Sequence, residues 1–302
     1  MLARCRVLTF ALFSILFAHT VAHAQDQGPG RIKVVATFSI LADLAGNVGG
    51  ERTDVTSLVG PSGDVHVYTP SPADAKAIAD AKIVIINGLG LEGWMDRLIR
   101  ASGTKATIVT ATSGVTPRQV EGVDHVRAAD PHAWQSVDNA KIYVADIRDA
   151  LAKVDPAGGA TYEANARAYL AKLDALEQEV RSIVAKIPSD RRKVITTHNA
   201  FRYFAATYGF EFIAPEGLST ESEPSAKDVA RIVTQIKAQK IPAVFLENVT
   251  DPRLLDRIAR ETGAKIGGTL YSDALTDAKG QAPTYVDAIR YNARALAAAL
   301  TL

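Results

Sequence analysis

Short β-branched runs alternate with amphipathic stretches twice along this chain, and that alternation constrains the fold more than any other feature. In the first half the runs fall at 33–37 (KVVAT), 53–59 (TDVTSLV), 82–87 (KIVIIN) and 106–109 (ATIV). Helical patterns start at Ile40 and cover 72–79 and 92–101 between them. The second half repeats the scheme, with runs at 193–197 (KVITT), 210–214, 243–246 and 264–267 and a last helix over 283–300. A strand wetted on one face alternates polar and apolar residues; near-continuous apolar strands separated by helices indicate parallel sheets covered on both faces. The expected fold class is therefore α/β, with two lobes, each a parallel sheet flanked by helices.

Between the lobes the pattern changes. Tyr162, Tyr169, Leu173, Leu176, Val180, Ile183 and Ile187 recur at helical spacing with charges between them, and Pro188 follows. One long amphipathic helix over 161–187 fits, about 40 Å long at 1.5 Å per residue. The sequence divides into an N-terminal lobe at 31–156, a connecting helix at 157–188 and a C-terminal lobe at 189–302. A continuous helix is a stiff connector, so only modest hinge motion is expected.

Composition narrows the class of function. With 47% hydrophobic and 22% charged residues, the chain buries a core and is not a disordered protein. Lys and Arg number 34 against 33 Asp and Glu, so no basic surplus is available for nucleic acid. Cys5 is the sole cysteine, which excludes a disulfide framework, thiolate zinc sites and iron–sulfur clusters. Arg4 and Arg6 precede an apolar run at 7–18, and Ala22-His23-Ala24 has the form of a cleavage site. Residues 1–24 therefore read as a signal peptide, whose run is too short to span a bilayer. Cys5 precedes that run, out of place for a lipobox. A soluble periplasmic protein is expected, without Cys5, His19 or His23 and with its net charge lowered from +1 to −1.

Four histidines remain: His66, His125, His132 and His198. A lone histidine is usually a satisfied polar group, but position matters. His198 follows directly on the KVITT run, His66 lies in the turn-rich stretch 60–66 beyond a strand, and His132 sits in Asp130-Pro131-His132-Ala133-Trp134 ahead of a helix. Loops beyond the carboxyl ends of parallel strands form the binding crevice of such sheets, so these three imidazoles can converge there. A closed tetrahedral site needs a fourth donor. Asp273 in Tyr271-Ser272-Asp273 is the best candidate, although taken alone an ordinary loop or helix-capping role explains it better. Glu221, Glu223 and Glu247 are further carboxylates near strand ends, and Glu247 could orient an imidazole from behind. Three imidazoles with one carboxylate suit Zn²⁺; Mn²⁺ prefers more oxygen.

Gly88-Leu89-Gly90-Leu91-Glu92-Gly93 matches a dinucleotide fingerprint but lacks the acidic residue about 20 positions on, since 97–120 contains no Asp or Glu. A tight strand-to-helix turn is expected instead. The sequence holds no nucleophile elbow, no H-E-x-x-H and no P-loop.

As an ordered set, 63–72 (GDVHVYTPSP), 87–94 (NGLGLEGW), 130–134 (DPHAW), 197–201 (THNAF), 219–225 (STESEPS) and 271–273 (YSD) resemble the metal-binding substrate-binding proteins of ABC transporters. That group includes ZnuA-like, TroA-like and AztC-like receptors, and the likeness leans towards the AztC-like zinc receptors. The resemblance implies two α/β lobes joined by a backbone helix, with metal between them held by His66, His132, His198 and Asp273. Manganese-type members commonly place a glutamate where this chain has His198, so the resemblance also favours zinc. Val65 replaces the usual proline before the first ligand. The His/Asp/Glu-rich loop of many zinc members is reduced to 114–129, holding only His125, which is expected to be a surface residue. The implied function is a periplasmic Zn²⁺ receptor, a monomer, serving an ABC transporter permease, with a periplasmic zinc chaperone as a second conceivable partner. The alternatives are a manganese receptor of the same family, a secreted zinc hydrolase, whose metal would keep an open position for water, and, more weakly, a surface adhesin.

Overall fold

Seven residues near the start, β1 (Ile32–Phe38), form the centre of the first sheet, and their side chains from Val34 to Phe38 are buried. The computed structural model describes residues 30–121 and 127–301. β1 leads into α1 (Ser39–Gly49), then β2 (Thr53–Val59), α2 (Pro72–Asp80), β3 (Ile83–Ile86), α3 (Met95–Ser102) and β4 (Thr107–Thr110). These strands make a parallel sheet in the order β2-β1-β3-β4. The expected signal peptide and Cys5 lie outside the described residues.

Two local features differ from the sequence reading. The helix expected at 92–101 begins at Met95, because Glu92 is consumed in tying down the preceding turn. Gly88, Leu89 and Gly90 all have positive φ, the tight turn anticipated for the glycine-rich stretch. The Glu92 carboxylate accepts the Asn87 and Gly88 N–H groups, so the amides that would cradle a phosphate are already occupied. The segment 114–129 is not a plain loop: β5 (Gln119–Glu121) and β6 (Arg127–Ala129) pair antiparallel, and His125 lies outside the described residues.

A long α4 (Val137–Val154) follows, then the connector α5 (Gly159–Val184). α5 buries Tyr162, Tyr169, Leu173, Leu176 and Val180, the stripe read from the sequence, against α1, α4 and the last helix. It ends at Val184, ahead of Pro188, because the Arg192 guanidinium donates to the carbonyls of Val184 and Ile187 and satisfies the helix end.

The second sheet is also parallel, in the order β10-β9-β7-β8: β7 (Lys193–Ile195), β8 (Glu211–Ile213), β9 (Ala243–Glu247) and β10 (Lys265–Leu270). α6 (Arg202–Tyr208), α7 (Ala226–Gln239) and α8 (Arg253–Thr262) connect them, and α9 (Tyr285–Leu300) closes the chain. β10 runs three residues beyond the apolar run read from the sequence. Its register shifts between Ile266 and Thr269, where Gly268 has a φ of +122°. A Cβ on Gly267 would sit 2.5 Å from the Phe245 ring, so a glycine pair looks like the end of a strand while serving as its bulge.

One apolar core runs from the first sheet through α4 and α5 to Phe245, Leu270 and α9; a smaller one lies under α7 and α8. Residues Arg31–Leu302 group as one compact unit. The shared core and α5 tie the two sheets together; the carboxyl ends of their strands deliver three of the loops described next, and the fourth, that of His132, follows the β5–β6 hairpin rather than a parallel strand as the sequence suggested.

Candidate metal centre

Four loops meet between the sheets. The loop after β2 carries His66 and is held at its exit by α2, where the Ser71 hydroxyl accepts the Asp74 N–H and the Asp74 carboxylate accepts the Ser71 N–H. Behind His66, the Trp94 indole N–H donates to the Val65 carbonyl at 2.8 Å. His132 follows β6 in a loop fixed by Asn87, whose amide donates to the Pro131 carbonyl at 2.9 Å. His198 lies three residues past β7, its backbone N–H and that of Thr197 both donating to Glu247 Oε1, at 2.9 and 2.7 Å. Asp273 follows β10. The Trp134 indole and the Gln135 amide both donate to the carbonyl of Ser272, at 2.9 and 2.7 Å. The His132 loop is thus bonded directly to the Asp273 loop across the two halves.

The structure brings together all four residues named from the sequence. One ligand atom from each of His66, His132, His198 and Asp273 lies within 4.8 Å of every other. His198 Nε2 is 3.0 Å and His66 Nε2 3.5 Å from Asp273 Oδ2, His132 Nε2 is 3.7 Å from Oδ1, and the His66 and His132 Nε2 atoms are 3.3 Å apart. A tetrahedral ion bound at about 2.0–2.1 Å has edges of about 3.3–3.4 Å, in the middle of this range. His132, His198 and Asp273 are fully buried and His66 is 7% exposed. Neither Asp273 oxygen makes a hydrogen bond. A buried, unpartnered carboxylate is costly, and a cation among the three imidazoles would satisfy it.

Carboxylates behind the rings set the donors. His132 Nδ1 lies 2.8 Å from Asp130 Oδ1, which also accepts the His132 backbone N–H at 3.0 Å. A proton on Nδ1 donates to that carboxylate and leaves the Nε2 lone pair facing the cluster. His198 Nδ1 comes within 2.6 Å of Glu247 Oε2, though off the line of a hydrogen bond. Burial alone would lower the His198 pKa, but the Glu247 and Asp273 carboxylates override it and hold the ring well above the usual imidazole range. Burial alone would raise Asp273, yet His198 and His132 hold it well below the usual carboxylate range. The two carboxylates therefore favour the protonated His198 ring, and a cation entering the cluster would compete with that proton. Of the three buried carboxylates only Asp273 faces the cluster; Asp130 and Glu247 stand behind the rings, with Arg202 Nε 3.9 Å from Asp130 Oδ2.

Of the other candidates, Glu247 takes the supporting place considered for it, while Glu221 and Glu223 stand outside the donor cluster on the loop before α7. The sequence reading did not assign Asp130 a role; its place two residues before a candidate histidine is the signal that could have done so. The Trp134–Gln135 clamp on Ser272 joins residues 137 or more positions apart and leaves no local signal.

Residues 34–299 match the ZnuA family, described as zinc-uptake complex component A, periplasmic. The chain belongs to the ZnuA family. Its fold is that of the metal-binding periplasmic receptors of ABC transporters, and members of the family are solute-binding receptors rather than enzymes, which removes the hydrolase alternative. The iron-binding protein YfeA of Yersinia pestis is 35% identical over 287 residues, 94% of this chain and 91% of YfeA. The manganese-binding lipoprotein MntA of Halalkalibacterium halodurans is 34% identical, covering 94% of this chain and 95% of MntA. The periplasmic zinc binding protein TroA of Treponema pallidum superposes with a TM-score of 0.85 at 30% identity, covering 90% of this chain and all of TroA. These relatives do not single out the AztC-like subgroup. No helix among the described residues is long and apolar enough to cross a membrane.

Proposed function

We propose that this member of the ZnuA family captures Zn²⁺ in the periplasm with His66, His132, His198 and Asp273 and passes it to the membrane permease of an ABC transporter. The observation that carries this reading is the buried N3O donor set around a carboxylate with no other partner. Three neutral nitrogens and one oxygen suit a tetrahedral, borderline-soft ion better than one that favours oxygen. Export through the signal peptide read at 1–24, a two-lobed division at the connecting helix and action as a monomer belong to the same reading.

Manganese is the second reading, and one feature favours it: both Asp273 oxygens are unpartnered, so a bidentate carboxylate could raise the coordination number to five. The manganese-binding name of MntA points the same way. Native mass spectrometry of the protein equilibrated with equimolar Zn²⁺ and Mn²⁺ separates the two. One zinc per chain is expected; manganese retained against zinc would overturn the zinc assignment, and no bound metal would overturn the receptor itself.

A further inference from the structure

The four donors are not equally supported. His132, His198 and Asp273 are each held by buried hydrogen bonds to their own loops or rings, and the His132 and Asp273 loops are bonded to each other. His66 itself has the Trp94 bond to its neighbour's carbonyl and its own backbone N–H donating to Asp64 Oδ1 at 2.9 Å, while four residues earlier Ser62 N–H donates to the Leu275 carbonyl at 2.8 Å. The other oxygen of that carboxylate accepts the Thr220 hydroxyl at 2.6 Å. Asp64 therefore joins the His66 turn to a segment 156 residues away.

That segment, the strap at 215–225, runs between His198 and α7. Its base is fixed by Glu216 N–H to the Thr197 carbonyl and by Asn199 N–H to the Gly217 carbonyl, and its far end by Ser225, which caps α7. Between these points, Thr220 to Asp64 is the one hydrogen bond from the strap to the rest of the described residues; Glu221 N–H to Ser219 Oγ is internal. Cavities of about 580 and 640 Å³ flank the strap, so little packing holds it. A third, of about 300 Å³, is lined by His66 together with Leu218, Ser219 and Glu221 of the strap. His66 is also the one ligand with any exposed surface, which places the route to the ion beneath the strap.

We propose that Thr220 is a positioning residue: through Asp64 it latches the strap to the His66 turn across the two halves, and this latch sets how fast metal enters and leaves. The inference rests on reading the site as a metal receptor. With the latch closed, the strap roofs the mouth and His66 keeps its pose; with it open, both are freed while the bonded pair His132 and Asp273 stays in place. Thr220 touches no metal, so its removal changes rates without changing the donor set.

Metal-loaded wild type, Thr220→Val and Thr220→Ser are mixed with excess chelator and the release of metal is followed by stopped flow, with stoichiometry measured separately. Valine keeps the shape without the hydroxyl; serine keeps the hydroxyl. Thr220→Val is expected to bind one metal per chain and to release it about tenfold faster, corresponding to ~1.4 kcal/mol, and Thr220→Ser to stay near the wild-type rate. Release from Thr220→Val at the wild-type rate would overturn the latch, as would equal acceleration in both variants, which would assign the effect to packing. A wild type that binds no metal would overturn the receptor reading and the latch with it, and is distinguished by its stoichiometry.

Discussion

Asp130→Asn isolates the support of one imidazole from its donation. Asp130 is fully buried, and a single oxygen accepts both the ring Nδ1–H at 2.8 Å and the backbone N–H of His132 at 3.0 Å. Asparagine has the same shape and keeps one acceptor, so no cavity forms. What changes is the strength of the bond, from charge-assisted at about 1.5–3 kcal/mol to neutral at about 0.5–1.5. The difference of ~1–1.5 kcal/mol corresponds to about tenfold in affinity. A second effect adds to it: an asparagine turned to present its NH₂ would favour the tautomer with the proton on Nε2, where it blocks coordination. Loss of a group of this kind behind a ligating histidine weakens metal binding by about 10–100-fold. Competition against a fluorescent chelator measures the constant, and circular dichroism with a thermal midpoint confirms that the metal-free variant is folded. A folded Asp130→Asn protein binding within about twofold of wild type would refute the argument that this carboxylate holds the donor tautomer.

Other consequences follow from the same geometry. His198→Ala removes a donor and the imidazolium that balances Asp273, and is expected to weaken binding by at least about a hundredfold by calorimetric titration, while His125→Ala changes equilibrium affinity less than about twofold; equal losses in both would contradict the donor assignment. The pH dependence has a definite sign. His198 is raised in the fold, so its imidazolium contributes stability that is complete below about pH 6.5 and is lost as pH rises through the elevated folded value. A bound dication takes over that charge, so the gap in thermal midpoint between metal-loaded and metal-free protein is expected to widen as pH rises above neutral; a gap that stays constant from pH 6 to 9 by scanning calorimetry would count against it.

The fold was legible where one element states its own pattern. The strands buried on both faces could be read as apolar runs, and the α5 stripe from Tyr162 to Val180 was visible in its spacing alone. The errors fall where one side chain overrides a pattern. Glu92 delays α3 by turning its carboxylate onto the glycine turn, Arg192 ends α5 before the proline does, and Gly267 and Gly268 carry β10 through a bulge. The four clustered residues could be singled out because each sits just beyond a strand or in a distinctive loop motif. Their supports were less so: Asp130 is local and could have been inferred, but the contacts of Trp134 and Gln135 with Ser272, and of Asp64 with Thr220, depend on how two sheets face each other, which no local pattern encodes.

The same distant contacts determine what a bound ion can signal. Large closure between lobes, as in receptors hinged on flexible strands, requires the halves to separate when empty. Here the apolar core is continuous from the first sheet to α9, and the Arg290 and Arg294 guanidinium groups of α9 both reach Glu179 on α5, at 2.9 and 2.8 Å. Tyr285 on α9 donates to the Trp134 carbonyl at 2.7 Å, beside the clamp on Ser272. Separating the halves would break the buried Tyr285 bond and expose core, a cost far above the contribution of any one ligand. His132 and Asp273 therefore stay side by side whether or not metal is bound. The difference between loaded and empty protein must lie in parts with few bonds: the His66 turn, the strap at 215–225, and the proton on His198. A permease that distinguishes the two states would read that face of the molecule, where the Thr220 hydroxyl ties the strap to the turn that carries His66.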